Sequence, residues 1–520
     1  MVTDLLKRTF LIDELSKDEI ELIWENRYLC RDVPESLPLV LSCCPEWNTE
    51  TLGDVSGMLT IWPLISPLIA LRLLSKEFSA IQTARQFATR SICRATDKLI
   101  FSMMPQLVSA LEFEILQDGT LCDFIICQSL ESVAFACHAH RALSAAIEYK
   151  NLDIFRVTRE LLEWAIGAKL CKVLRKTAQV NTAIDATGES IKQARNQSKK
   201  HFEELETRLE LLKPIYINHM MPFELDALDS NQCTVFSSFT APVKLTFLDL
   251  NAKKQSTMYK IGDDLRQDQL IVTLFSLFED IWLDSGLDLR MRQFDVIPVA
   301  KNRGFIELVK DSVTLREIQS GEKKNLSVNE TCLHNYLVKQ RLDYHKLVDN
   351  FTRSSAGYCV ATYILGLGDR HNDNIMVCRQ GHLFHIDFNK AFGHAQKFAG
   401  AIKRDRAPFV LSDDMAYVIN NGDKTGRSFH HFVDMCTKGI VFFNEYTLTF
   451  CLAFNLIRDR WQDILSMLYM SIPMGLTTLK GMNELKFIRA NLSPDSDSMQ
   501  AQQDFTKARV STFDKKRVWL

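Results

Sequence analysis

The apolar pattern of this 520-residue chain changes period once, close to Pro222. Before about residue 185 the sequence is dense in Leu, Ile, Ala, Phe and Cys at helical spacing. Breaks at Pro34, Pro38, Trp62-Pro63, Pro67 and Asp118-Gly119 cut it into helix-length pieces. ESVAFACHAHRALSAAIE, residues 131–148, is one such piece, and its small residues allow close helix packing. There is no strict repeat period, but a stack of antiparallel helix pairs, as in α-solenoids, fits the pattern. His138 and His140 stand two apart on that piece, on different helix faces, and read as packing residues rather than metal ligands. Residues 184–212 turn polar and charged, which predicts a solvated connector helix.

Beyond Pro222, β-rich runs occur at 234–239, 243–248, 257–261, 294–300 and 305–309, interleaved with an amphipathic helix at 265–282. A mostly helical remainder follows. Strands first and helices later predict an α+β domain with a small sheet lobe and a larger helical lobe. The expected organisation is multidomain: a solenoid-like helical accessory domain at 1–185, connector helices at 186–230, and a two-lobed α+β domain at 231–520. Its lobes should meet near residues 308 and 309.

Composition narrows the function. Lys and Arg number 62 against 64 Asp and Glu, a formal net charge of −2, so no global field recruits nucleic acid. The 14 cysteines include no C-x-x-C and read as reduced thiols. Acidic residues interrupt MVTDLLKRTFLIDELSKDE, which therefore does not read as a signal peptide. No apolar run reaches the roughly 18 residues of a membrane span. The expectation is a cytoplasmic protein, any membrane contact of which is peripheral.

Chemistry concentrates in GLGDRHNDNIMVCRQGHLFHIDFNK, residues 366–390. Asp369, Arg370, His371 and Asn374 share one turn-like segment, and Asp387 follows 387 − 374 = 13 residues later, behind Phe384 and Ile386. Phosphoryl transfer needs metal ligands, a cation on the nucleotide phosphates, and a group to orient the attacking hydroxyl. Asn374 and Asp387 supply the hard oxygens Mg²⁺ prefers if their segments form a hairpin. His371 or Asp369 would then accept the hydroxyl proton or stabilise charge near it. Lys260 ends the run STMYK just ahead of GDDLRQD, where Asp268 stands on a helix beside Leu270 and Ile271. A lysine on a strand next to a carboxylate suits nucleotide phosphates. In GFIELV, 304–309, the backbone of Glu307 and Val309 would meet an adenine edge.

Together GDDLRQDQL, GLDLRM, FTRSSAGYCVATYILGLGDRHNDNIMV and HLFHIDF resemble the phosphoinositide 3-kinase family. LIWENRYLCRDVPESLPLVLSCCPEWN resembles the start of that family's helical accessory domain. NDNIM, GHAQ and KRDRAPFVLSDDMAYVINNG look like class II members. The phosphate loop SSFTAPVKL agrees, with Thr240 where class I enzymes usually carry lysine and Lys244 just downstream. The resemblance implies an ATP- and Mg²⁺-dependent kinase acting on the 3-hydroxyl of phosphatidylinositol and phosphatidylinositol 4-phosphate at plasma or endosomal membranes. It implies catalytic roles for His371, Asp369 and Arg370. For the nucleotide it implies contacts from Ser237, Ser238, Lys244, Lys260, Asp268, Phe294, Glu307, Val309 and Ile386. Lys390, Lys397, Lys403, Arg404 and Arg406 would meet the lipid head group in the loop after Asp387. The apolar KFAGAI, 397–402, favours less charged lipids than class I enzymes prefer. A regulatory or adaptor protein on the helical domain is a further expectation.

The family's Asp-Phe-Gly stands here as Asp387-Phe388-Asn389. If residue 389 needs positive φ, asparagine costs about 1 kcal/mol and leaves the metal site usable. Asn389 and the chain's ending at FTKARVSTFDKKRVWL, short of the family's final helix, motivate alternatives: a catalytically weak scaffold, or a truncated product. A class I-type 3-kinase is another.

Overall fold

The computed structural model describes residues 2–496 except 116–118, 220, 238–239, 322–330, 395–396, 399–401, 404–409 and 420–444. Two compact units emerge. The first comprises Met1–Gln269, Asp295–Leu308 and Gln462–Leu476; the second comprises Leu270–Phe294, Val309–Trp461 and the chain from Thr477.

The first unit opens with helices, including α1 (Asp97–Ala110), α2 (Thr120–Glu131), α3 (Val133–Tyr149) and α4 (Asp153–Ala165). Ser132 separates α2 from α3 because its hydroxyl accepts the Phe135 N–H at 3.2 Å, an N-cap that starts a new helix. The two histidines of α3 are structural, as expected: His138 stacks on Phe101 at 4.4 Å, and His140 Nε2 lies 3.0 Å from Glu163 on α4. A buried ion pair ties this region together. Arg85 meets Glu114 at 3.2 Å with both side chains 1% exposed, and both Glu114 oxygens also accept the Leu121 N–H of α2.

The connector expectation fails in two respects. Helix α5 (Gly167–Gln193) runs through residue 185 without a break, and α6 (Ser198–Leu211) buries Phe202, Leu205 and Leu209. Those three positions form an apolar stripe that the surrounding charges mask. Residues 215–219 and 221–228 are strands rather than helices, β1 (Ile215–His219) and β2 (Met221–Leu228), paired antiparallel. Ile215, Ile217 and Leu225 alternate into the core, which is a period of two rather than a helical one.

The remaining strands of the unit are β3 (Thr234–Val235), β4 (Val243–Asp249), β5 (Lys254–Ile261), β6 (Val296–Ala300) and β7 (Arg303–Glu307). The sheet order is β1-β2-β4-β5-β7-β6, with β3 on β4. Helices α5 and α6 cover one face, joining Val180, Ile184, Ile191, Phe202 and Leu205 to Leu245, Phe247, Tyr259 and Phe305 in one core. The contact between α5 and β5 is close: a Cβ on Gly188 would lie 2.4 Å from Ile261 Cδ1. Lys192 Nζ donates to the Ile261 carbonyl at 2.7 Å, while Asp185 accepts from the Tyr259 hydroxyl and pairs with Arg303 at 3.0 Å.

In the second unit a helix, α7 (Arg266–Asp284), contributes its residues from Leu270 onward, and α8 (Tyr344–Leu365) forms the spine. Small residues on α8 admit neighbours: a Cβ on Gly357 would lie 2.8 Å from Met291 Sδ. A three-stranded sheet of β8 (Ser312–Thr314), β9 (Ile375–Cys378) and β10 (Leu383–His385), in the order β10-β9-β8, packs beside it. No helix among the described residues is long and apolar enough to cross a membrane.

Candidate active site

Helix α8 ends at Gly366, whose φ of 54° turns the chain out of the helix. The segment 367–374 that follows leads into β9, and β9 pairs with β10 in the register Ile375↔His385. Asn374 therefore stands across from Ile386, whose N–H donates to the Asn374 carbonyl at 3.1 Å. Asp387 is the next residue. The hairpin thus brings the backbone of the two segments together despite the intervening chain.

Side-chain bonds leave particular atoms available. Asn374 is 8% exposed, and its Nδ2 donates to the Asp369 carbonyl at 3.0 Å, so the amide oxygen is the end left to meet an ion. Asp369 and Asp387 both sit in the left-handed region, at φ 57° and 58°. Such residues store strain and persist only where their surroundings hold them. Arg370 is the holder. Buried at 7% exposure, it donates from Nε to Gly368 O at 2.8 Å, from Nη1 to Ile386 O at 2.7 Å, and from Nη2 to Asp387 O. The sequence reading placed Arg370 among the catalytic residues. Its guanidinium is engaged with the backbone carbonyls of Gly368, Ile386 and Asp387.

The strain expected at Asn389 is absent. Positive φ falls on Asp387, two residues earlier, and Asn389 lies outside the left-handed set. Its Nδ2 instead donates to Asp387 Oδ1 at 2.7 Å.

His371 is half-buried. Its Nδ1 accepts the Asp373 N–H at 3.2 Å, and its Nε2 lies 3.9 Å from Asp369 Oδ1. Its Nε2 also lies 3.4 Å from the Asn374 amide nitrogen, so the ring sits between the Asn374 amide and the Asp369 carboxylate. Beneath the hairpin, His385 is 3% exposed, stacks on Tyr358 at 5.0 Å and approaches Thr362 Oγ1 at 3.4 Å. Burial, with Arg370 next in effect, holds His385 well below the usual histidine range. A folded state that keeps this ring neutral loses stability as pH falls below the unfolded value of about 6.5, because only the unfolded chain takes up the proton. Denaturant titrations at pH 7.5 and 5.5 should show His385→Gln losing about 1 kcal/mol less on acidification than the parent chain. An equal loss in both would remove His385 from that account.

In the first unit, Lys260 on β5 lies 3.4 Å from Asp263 Oδ2, and Asp268 is buried at 8% exposure in the first turn of α7. Gly304 sits opposite Lys260, and a Cβ there would lie 2.3 Å from the Ile297 carbonyl, so only glycine fits. Lys244 is half-buried on β4 and Ser237 is exposed, whereas Ser238 lies outside the described residues. Glu307 uses its N–H on the Asp295 carbonyl at 2.8 Å. In the second unit, the Val309 carbonyl accepts from Ser312 at 2.7 Å, and Phe294 packs 6.0 Å from Phe384. Ile386 and Lys390 are half-buried, and Lys397 and Lys403 pair across a two-residue ladder; Arg404 and Arg406 lie outside the described residues.

Sequence reasoning missed the Asp185–Tyr259–Arg303 cluster and the carbonyl clamp of Arg370. Both are through-space arrangements with no spacing signal.

The fold and this hairpin define a two-part plan, helical accessory followed by α+β catalytic segment, and comparison with known proteins agrees. Residues 3–173 match the family model described as the phosphoinositide 3-kinase family accessory (PIK) domain, and residues 254–460 match that of phosphatidylinositol 3- and 4-kinase. The orangutan (Pongo abelii) phosphatidylinositol 4-phosphate 3-kinase C2 domain-containing subunit alpha is 36% identical over 96% of this chain and 29% of its own length. The rat (Rattus norvegicus) phosphatidylinositol 3-kinase C2 domain-containing subunit gamma is 35% identical over 95% and 32%. Phosphatidylinositol 3-kinase piki-1 of Caenorhabditis elegans is 31% identical over 95% and 31%. The chain belongs to the phosphoinositide 3-kinase family, and its relatives include class II, C2-domain-containing subunits. It spans about a third of the length of these curated relatives.

Proposed function

We propose that the chain transfers the γ-phosphate of ATP to the 3-hydroxyl of phosphatidylinositol and phosphatidylinositol 4-phosphate, at a membrane to which it is recruited peripherally. The observation that supports this reading is the β9–β10 hairpin, in which Asn374 stands across from Ile386, the residue before Asp387, and Arg370 binds the Ile386 and Asp387 carbonyls. The donor set fits Mg²⁺, a hard ion that takes one or two oxygen ligands from protein and the rest from phosphates and water. Asn374 and Asp387 would hold it, and the bound ion would neutralise charge on the nucleotide phosphates. Lys260 would pair with those phosphates, and the backbone of Glu307 and Val309 would meet the adenine edge. His371 orients the inositol hydroxyl, with Asp369 positioned to take its proton. Lys390, Lys397, Lys403, Arg404 and Arg406 meet the lipid phosphate. The names of the orangutan and nematode relatives, one a phosphatidylinositol 4-phosphate 3-kinase and the other a phosphatidylinositol 3-kinase, support this substrate class. The PIK domain is the expected seat for a regulatory or adaptor protein.

Thin-layer separation of lipid products tests the reading. The purified chain should phosphorylate phosphatidylinositol and its 4-phosphate in preference to the 4,5-bisphosphate, and Asp387→Ala should lower product at least 1,000-fold, on the order of losing a group that acts on the transferred phosphate. Product unaffected by that substitution refutes the catalytic assignment, and a dominant trisphosphate product refutes the substrate assignment.

A further inference from the structure

Residue 389 is where the sequence departs from the family's glycine, and the structure gives the replacement a specific contact. Asn389 Nδ2 donates to Asp387 Oδ1 at 2.7 Å. Asn389 is exposed, but the backbone that carries it is held. Arg370 fixes the carbonyls of Ile386 and Asp387, Phe388 is fully buried with its ring 5.4 Å from Phe275, and Gly368 N–H donates to the Lys390 carbonyl at 2.9 Å. Backbone on both sides of Asn389 is therefore pinned, and its short side chain delivers the amide to one carboxylate oxygen.

We propose that Asn389 is a positioning residue that sets ion selectivity: by engaging Asp387 Oδ1 it leaves Oδ2 as the single oxygen offered to a divalent cation. The inference rests on Asp387 being a metal ligand, as proposed above. Mg²⁺ takes one oxygen per carboxylate in a tight octahedron, at roughly 2.0–2.1 Å, whereas Ca²⁺ accepts six to eight oxygens at roughly 2.3–2.6 Å and commonly takes both from one carboxylate. An amide hydrogen on Oδ1 penalises two-oxygen binding and leaves one-oxygen binding intact. Groups that orient a metal ligand typically change affinity by about 10- to 100-fold when removed. Asn389 thus biases the site toward small ions, and glycine or alanine at this position relaxes the bias.

The test uses the full chain with a non-hydrolysable ATP analogue, Mn²⁺ as the reporter ion, and electron paramagnetic resonance to follow its displacement by Mg²⁺ and by Ca²⁺. Turnover is not needed. In both Asn389→Gly and Asn389→Ala the preference for Mg²⁺ over Ca²⁺ should fall by about tenfold. Unchanged preference in both variants overturns the proposal, as does a change in the glycine variant alone, which would report backbone freedom. Asp387→Ala separates the two layers: if it leaves Mn²⁺ binding untouched, the metal-site reading itself fails. If it abolishes binding while the Asn389 variants keep the parent ratio, only the selectivity inference fails.

Discussion

Arg370→Met is expected to reduce phosphoryl transfer by about 100-fold or more while leaving KM for lipid within a few-fold of the parent. The guanidinium is buried and donates to the carbonyls of Gly368, Ile386 and Asp387. Methionine fills much of the volume but leaves those acceptors unmet, at a cost of about 1–3 kcal/mol for each buried group. The segment carrying Asp387 then relaxes, and a displacement of about 1 Å at a reacting centre costs on the order of 100-fold. Arg370→Lys should recover only part of the loss, because an ammonium cannot present the fixed fork that reaches several carbonyls at once. The measurement is steady-state kinetics of both variants. Parent-like kcat in Arg370→Met would show that Asp387 keeps its place without the clamp.

The largest stability effect is expected far from the chemistry, at Glu114. Its carboxylate meets Arg85 at 3.2 Å where both side chains are 1% exposed, and it accepts the Leu121 N–H at the start of α2. Glu114→Ala strands a buried guanidinium and uncaps a helix, which should lower unfolding free energy by about 3–5 kcal/mol. Replacing both partners, as Arg85→Leu with Glu114→Leu, should recover most of that loss, since it removes the charge that burial penalises. Denaturant unfolding followed by circular dichroism gives both numbers. A double variant as unstable as the single one would show that the helix cap, not the ion pair, carries the energy.

Much of this arrangement was legible in the residues. The runs at 243–248, 257–261 and 305–309 correspond to β4, β5 and β7 within a few residues, because alternation of apolar side chains is a local property. The hairpin pairing Asn374 with Ile386 follows from an apolar run on each side of Arg379-Gln380-Gly381, where Gly381 adopts a φ of 88°. What escaped was set by packing. Helix α6 looked solvated because eight of its fourteen residues, SKKHFEELETRLEL, are charged or histidine, and only three apolar side chains touch the sheet. Strands β1 and β2 were hidden because their pattern starts directly after that charged helix. Asn389 would bear strain only if it kept a positive φ open to the glycine it replaces, and it does not. The strain lies on Asp387, because Arg370 draws the Asp387 carbonyl inward.

The clasp of α5 on β5 bears on how this protein can be divided. Asp185, Gly188 and Lys192 grip Tyr259 and Ile261, the two neighbours of Lys260 in the chain. A catalytic fragment cut to begin at residue 231 or 254 would discard that grip, baring apolar side chains and releasing the strand that carries the lysine. The end of α5, which lies between the two matched segments, is on this account the chassis of the strand that carries Lys260.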